Sequence, residues 1–219
     1  MLRAIFQWFV RITGFLPYLF CFRTKVYYED RKAQGKRIKG KAIVCSNHKS
    51  VFDVALMLYL FPTRTLRPLV AELMFKKNPV FSLFLKALGG IKVDRDSHDF
   101  TFLEQSRKIL DKGGVIEVYP EARLPKENEP TPLPFTPSTA YLALLSGAPV
   151  IPVYTNGKYF QKQRARTIIG KPIYPQELYD DSLSEEENVE NITKILRNKV
   201  IELENELQER TKENQEKTE

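Results

Sequence analysis

Residues 42–60 read Ala42-Ile43-Val44-Cys45-Ser46-Asn47-His48-Lys49-Ser50-Val51-Phe52-Asp53-Val54-Ala55-Leu56-Met57-Leu58-Tyr59-Leu60. A polar lead, Lys36 to Lys41, runs into the short apolar stretch Ala42 to Cys45, which predicts a buried strand. A brief polar loop from Ser46 to Ser50 follows. Val51 to Leu60 then predicts a helix, stopped by Phe61-Pro62. Strand, polar loop and helix in that order form the unit from which α/β domains are built.

The same alternation continues along the chain. Strands are predicted at Arg67 to Ala71, Ile91 to Val93, Val115 to Tyr119, Val150 to Tyr154 and Thr167 to Gly170. Helices are predicted at Phe75 to Leu88, Asp99 to Leu110 and Ser138 to Leu145, each followed by glycine. Prolines 125, 130, 132, 134 and 137 make residues 124–137 a loop. Near the end, Ser184 and Glu187 form a capping box. It opens a helix whose Val189, Ile192, Leu196, Leu203 and Leu207 make one apolar stripe, expected to lie on the domain. The expected fold class is α/β, a mostly parallel or mixed central sheet flanked by helices, preceded by an N-terminal amphipathic membrane-binding helical segment. Residues 1–35 are read as that segment, 36–180 as the α/β domain, and 181–219 as an amphipathic helix with a charged tail.

At 219 residues, with 42% hydrophobic and 28% charged content, the chain is long enough for a sizeable core and is not a disordered one. Two cysteines, Cys21 and Cys45, exclude a disulfide scaffold and a CxxC metal site, and two histidines argue against a multi-histidine metal centre. No uncharged stretch approaches the ~20 apolar residues of a membrane span. Ile12 to Phe22 is uncharged but holds Gly14 and Pro17, and no small-residue cleavage site follows, so a cleaved signal peptide is not expected.

The formal charge of +7 is unevenly spread: residues 1–41 carry +8 and residues 177–219 carry −8. A basic front and middle fit an anionic partner, whether lipid headgroups, a phosphorylated substrate or nucleic acid. The acidic tail and the lack of a nucleic-acid motif argue against the last. Residues 1–13, placed on a helix, align Arg3, Gln7 and Arg11 in one polar stripe. Leu2, Ile5, Phe6, Trp8, Phe9 and Ile12 cover the rest. This pattern fits an interfacial anchor with Trp8 and Phe9 in the acyl boundary and Arg3 and Arg11 at headgroups. It also fits a terminal helix packed on the domain's own core.

In α/β folds, chemistry gathers beyond the carboxyl ends of strands. Asn47 and His48 fall at the end of the first predicted strand, and Asp53 in the first turn of the next helix. Such a carboxylate can fix the imidazole tautomer and stabilise the imidazolium, leaving the other nitrogen as a base. Cys45 lies inside the apolar strand and reads as a small buried hydrophobe, and Ser50 is too close to His48 for easy in-line attack. The base is therefore expected to act on a substrate hydroxyl. Asp94-Arg95 ends another strand, where Arg95 could fork onto a phosphate. Tyr119-Pro120-Glu121-Ala122-Arg123 ends a third, where Glu121 and Arg123 could hydrogen-bond a polyol and a phosphate, or form surface ion pairs.

Four segments in order carry a resemblance. Asn47-His48-Lys49-Ser50-Val51-Phe52-Asp53, Gly90 to Arg95, Tyr119-Pro120-Glu121 and Val150-Ile151-Pro152-Val153 together resemble the phospholipid/glycerol acyltransferase family, over roughly residues 40–155. The resemblance implies that His48 takes the proton from an acceptor hydroxyl while Asp53 orients it. The alkoxide then attacks an acyl thioester carried on acyl carrier protein or coenzyme A, with no acyl-enzyme, metal or bound cofactor. It implies a lysophospholipid acceptor, lysophosphatidic acid giving phosphatidic acid, with Asn47, Ser50, Arg95, Glu121 and Arg123 positioning it. It further implies work at the cytoplasmic face of an anionic cell membrane as a peripheral protein. Two departures point to another lysolipid acceptor. Ala122 replaces the family's glycine, which predicts a reshaped turn, and Phe135-Thr136-Pro137-Ser138 lacks the family's lysine and glycine. A peripheral membrane protein without catalysis is the remaining alternative, and the intact His48–Asp53 spacing speaks against it.

Overall fold

The computed structural model describes residues 2–94 and 100–216. The chain opens with helix α1 (Leu2–Thr13), then α2 (Phe15–Pro17) and a π-helical turn (Tyr18–Phe22), followed by strand β1 (Lys25–Tyr28). The central elements are β2 (Ala42–Ser46), α3 (Asp53–Leu60), β3 (Leu66–Ala71), α4 (Glu72–Lys76), α5 (Pro79–Leu88), β4 (Ile91–Val93) and α6 (Thr101–Asp111). They continue as β5 (Val115–Val118), α7 (Ser138–Ser146), β6 (Val150–Thr155) and β7 (Arg166–Ile169), and α8 (Glu185–Glu216) follows.

Seven strands form one sheet in the order β1-β7-β6-β2-β5-β3-β4. The five strands from β6 to β4 run parallel; β7 runs antiparallel to β6, and β1 is parallel to β7. The sheet is therefore mixed, as expected. β1 is a strand that the sequence reading did not assign. Its Val26, Tyr27 and Tyr28 are half-buried at the sheet edge, so no continuous apolar run marks it.

Side chains of β2 alternate between two cores. Val44 joins Leu56, Met57 and Leu60 of α3 with Ile151 and Val153 on one face. Ile43 and Cys45 join Ile116, Val118, Leu142 and Leu196 on the other, under α6, α7 and α8. The stripe Val189, Ile192, Leu196, Leu203 and Leu207 is buried against this sheet. Ser184 and Glu187 cap α8 reciprocally, Ser184 N donating to the carboxylate at 2.9 Å and Glu187 N to Ser184 Oγ at 3.2 Å.

Two expectations are corrected. The single helix expected over 75–88 is two helices. Asn78 is extended, its side chain accepts from the amides of Val80 and Phe81 at 2.8 and 3.2 Å, and Pro79 starts α5. Two of the three residues of the α1 polar stripe, Gln7 and Arg11, face the protein and not headgroups. Gln7 is fully buried and donates to the carbonyls of Leu66 and Leu88 at 2.6 and 2.7 Å, and Leu66 N donates back at 3.1 Å. Arg11 is 5% exposed and donates to the carbonyls of Leu58 and Arg64 at 2.9 and 2.7 Å. A buried guanidinium left without such partners would be costly, so Arg11 is held inward. Arg3, Trp8 and Phe9 remain exposed.

Candidate active site

β2, β5 and β6 lie side by side and end at the same edge, so residues just beyond them share one space. The connection from β2 passes to β3 on one side, and that from β5 passes to β6 on the other. This divergence is where open α/β sheets leave a crevice. His48 follows β2, Glu121 follows β5, and Thr155 ends β6.

Asp53 is fully buried at the start of α3. Its Oδ2 lies 3.0 Å from His48 Nδ1 and accepts from the amides of Lys49 and Ser50 at 2.8 and 2.9 Å. Its Oδ1 accepts from the Tyr159 hydroxyl at 2.7 Å. With Nδ1 turned to the carboxylate, Nε2 is the nitrogen left for an acceptor, and the imidazole is 19% exposed. This is the base-and-orienter geometry expected for the pair. The Cys45 thiol is pushed far up by burial, which leaves it inert.

The residues expected to hold an acceptor divide differently. Asn47 is fully buried, and its side chain bonds the Thr155 backbone in both directions, at 2.9 and 2.8 Å. It ties β2 to β6 and offers nothing to a ligand, which corrects its assignment. Glu121 is 5% exposed and engaged within the fold. Its two carboxylate oxygens accept from the amides of His48 and Leu133, each at 2.8 Å, so it braces the His48 loop. Burial raises its pKa against those bonds. Ser50 gives its amide to Asp53, and its Oγ accepts from Phe52 N at 3.2 Å. Arg123 is exposed and forks onto Glu129, Nη1 donating at 2.7 Å, so it is engaged locally. Arg95 lies outside the described residues. Ala122 holds φ at 62°, in the left-handed region that glycine enters freely and alanine rarely does.

The acyltransferase family model matches residues 23–156, more than half of the chain, and spans every residue of this site but Tyr159. The chain belongs to the acyltransferase family. The 1-acyl-sn-glycerol-3-phosphate acyltransferase of Bacillus subtilis is 24% identical over 173 residues, covering 77% of this chain and 83% of its own. The human 1-acyl-sn-glycerol-3-phosphate acyltransferase beta is 25% identical over 151 residues, 68% of this chain and 51% of its own, so this chain spans about half of it. Among solved structures, the 1-acyl-sn-glycerophosphate (LPA) acyltransferase of Thermotoga maritima superposes with a TM-score of 0.60 at 18% identity. That match covers 93% of this chain and 95% of the other, and it shows a shared fold.

This acyltransferase has site residues that the sequence reading missed. Tyr159 is one; its hydroxyl donates to Asp53 and lies 3.1 Å from Thr155 Oγ1. Burial and the Asp53 carboxylate raise its pKa well out of reach, so it stays a donor. Its ring packs on Phe22 at 4.7 Å, and Phe160 N donates to Cys21 O at 2.7 Å, tying the loop after β6 to the N-terminal helices. Only the aromatic run Tyr159-Phe160 after a glycine marked the place in sequence. Tyr159→Phe is expected to lower kcat about tenfold with KM unchanged, the loss of one hydrogen bond to a charged group. Steady-state kinetics check this, and an unchanged kcat excludes Tyr159 from positioning Asp53.

Tyr119 is another. Its ring stacks on His48 with centroids 4.4 Å apart, and its hydroxyl donates to Glu117 at 2.6 Å. Glu117 is fully buried in β5, and its Oε2 has no partner among the described residues. Burial pushes its carboxyl up to about 8 from an ordinary 4.5, so it is neutral at pH 7. Between those values the folded chain keeps a proton that the unfolded chain releases. Stability present below pH 4.5 therefore falls as pH rises toward 8, by a few kcal/mol in all. Glu117→Gln is expected to flatten that fall between pH 5 and pH 8 in urea unfolding; an unchanged slope would remove Glu117 from the effect.

Proposed function

We propose that this acyltransferase acylates the free hydroxyl of lysophosphatidic acid to give phosphatidic acid, at a membrane surface. The observation that carries the chemistry is the His48–Asp53 contact at 3.0 Å, with Asp53 bound from both sides. His48 Nε2 accepts the proton of the acceptor hydroxyl, and Asp53 stabilises the imidazolium so formed. The new alkoxide attacks the thioester carbonyl. The tetrahedral intermediate collapses, the C–S bond breaks, and the thiolate leaves with the proton returned by His48. Acyl carrier protein or coenzyme A carries the thioester. The acceptor is suggested by relatives named 1-acyl-sn-glycerol-3-phosphate acyltransferase.

The membrane reading rests on α1 and the turn after it. Leu2, Ile5, Trp8, Phe9, Ile12, Phe15, Leu16, Leu19 and Phe20 are exposed while Gln7 and Arg11 are inside. No single described helix is long and apolar enough to cross a membrane, and α1 bends by 54° into Phe15–Phe22. Each of the larger side chains gains about 1.5–3 kcal/mol on leaving water. A helix with its apolar side outward is suited to lie along the acyl boundary of an anionic cytoplasmic leaflet, as a peripheral protein. A second acceptor, a lysolipid with another headgroup, is favoured by one observation: Arg123 is taken by Glu129. The deciding assay is acyl transfer from both thioester carriers to a panel of lysolipids presented in vesicles. Phosphatidic acid as the main product supports the proposal. Turnover confined to another lysolipid replaces the acceptor, and silence on all of them overturns the reading.

A further inference from the structure

Helix α5 is apolar on both sides: Leu85 and Leu88 are buried, yet its outward face is apolar too. Ser82 is 9% exposed, whereas Val80 and Leu83 are 78% and 68% exposed, with Phe81 and Phe84 exposed beside them. Single exposed apolar residues are ordinary, but a contiguous set with a serine tucked beneath marks a surface meant for something other than water. α1 likewise turns an apolar face outward, with Gln7 and Arg11 inside. The two helices are also fixed to each other. Gln7 of α1 holds the carbonyl of Leu88, where α5 ends, and that of Leu66, where β3 begins. Phe6 of α1 meets Phe84 of α5 edge-on at 5.7 Å. The outward faces of α1 and α5 therefore form one rigid apolar surface. Leu73 of α4 is exposed nearby in the chain, and Lys76, Lys77 and Lys86 are exposed at the two ends of α5.

We propose that α5 is a second lipid-contacting element, whose Val80, Leu83 and Phe84 enter the acyl boundary of an anionic bilayer beside α1, with Lys77 and Lys86 at headgroup phosphates. The proposal rests on the reading of α1 as membrane-facing. The lysine border favours an anionic surface over a second copy of this chain. A symmetric pair through this face would bring the two borders of like charge together. α5 also leads through Gly89-Gly90 into β4, and Arg95 follows β4 by two residues in the chain.

The test uses the chain's single tryptophan, Trp8, which lies on α1. The full-length protein is mixed with vesicles of phosphatidylglycerol and brominated phosphatidylcholine, and quenching of its emission reports contact of α1 with acyl chains. In a Trp8→Phe background, Leu83→Trp moves the probe to α5; far-UV circular dichroism confirms that both proteins fold alike. The expected result is comparable loss of emission from both probes. Leu83→Asp with Trp8 retained is expected to weaken vesicle binding about tenfold. Quenching at Trp8 with none from the α5 probe, or undiminished binding by Leu83→Asp, overturns the proposal and leaves the α1 reading standing. No quenching at either probe overturns both. An α5 probe that is shielded without lipid, in proportion to protein concentration, assigns the face to a second copy and overturns the lipid assignment.

Discussion

His48→Ala is expected to reduce acyl transfer by about 10³-fold or more while leaving the protein folded and bound to vesicles. General bases contribute typically ~10²–10⁴-fold. The buried Cys45 thiol and the Tyr119 and Tyr159 hydroxyls keep their protons and do not substitute for His48. The fold survives because His48 supplies only one of the four donors to Asp53; the Lys49 and Ser50 amides and the Tyr159 hydroxyl remain. Glu121 still accepts from the backbone amide of residue 48. The check is turnover of wild type beside the variant on identical vesicles. Full residual activity in the variant would remove His48 as the base.

Asp53→Asn is the second large effect, and it separates charge from shape. The amide can keep its carbonyl oxygen on the His48, Lys49 and Ser50 donors. Its NH2 then faces Tyr159, whose hydroxyl can turn its proton toward Thr155 Oγ1, 3.1 Å away. Packing is thereby preserved, while the charge that stabilises the imidazolium is gone. Loss of activity by about 10³–10⁴-fold with little change in the urea midpoint is expected, by analogy with the same change in serine hydrolases. Asp53→Ala is a worse probe, since several donors lose their acceptor at about 1–3 kcal/mol each. An Asp53→Asn variant that is fully active would show that Asp53 is a loop anchor and no more.

The dyad was legible in the sequence because both members are close together on one strand–loop–helix unit, and a five-residue separation spans one such turn. The α/β class was legible for a related reason: the central parallel strands β2, β5 and β6 are buried on both faces and read as short apolar runs. The orientation of α1 was not. A helical period says which residues share a face, and Arg3, Gln7 and Arg11 do, but it does not say which face turns inward. That was decided by the Leu58, Arg64, Leu66 and Leu88 carbonyls, which are distant in the chain. The role of Glu121 was hidden likewise, since its partners at His48 and Leu133 come from other loops. Tyr159 lay beyond the motif-bearing segments, and only the end of β6 brings it to Asp53.

Arg197 of α8 donates to the carbonyls of Pro132 and Leu133 at 2.7 and 3.0 Å, and the Leu133 amide is one of the two that Glu121 binds. The brace behind His48 is therefore closed by a residue translated about 150 positions after it. On the ribosome, the apolar face of α1 emerges long before that brace can form. A nascent chain would become competent last, so that acyl transfer by stalled chains should appear only when Arg197 has cleared the exit tunnel; turnover by chains stalled earlier would show that the brace is dispensable. If α1 meets lipid as proposed, the order of synthesis would keep an unfinished enzyme from acting on that surface.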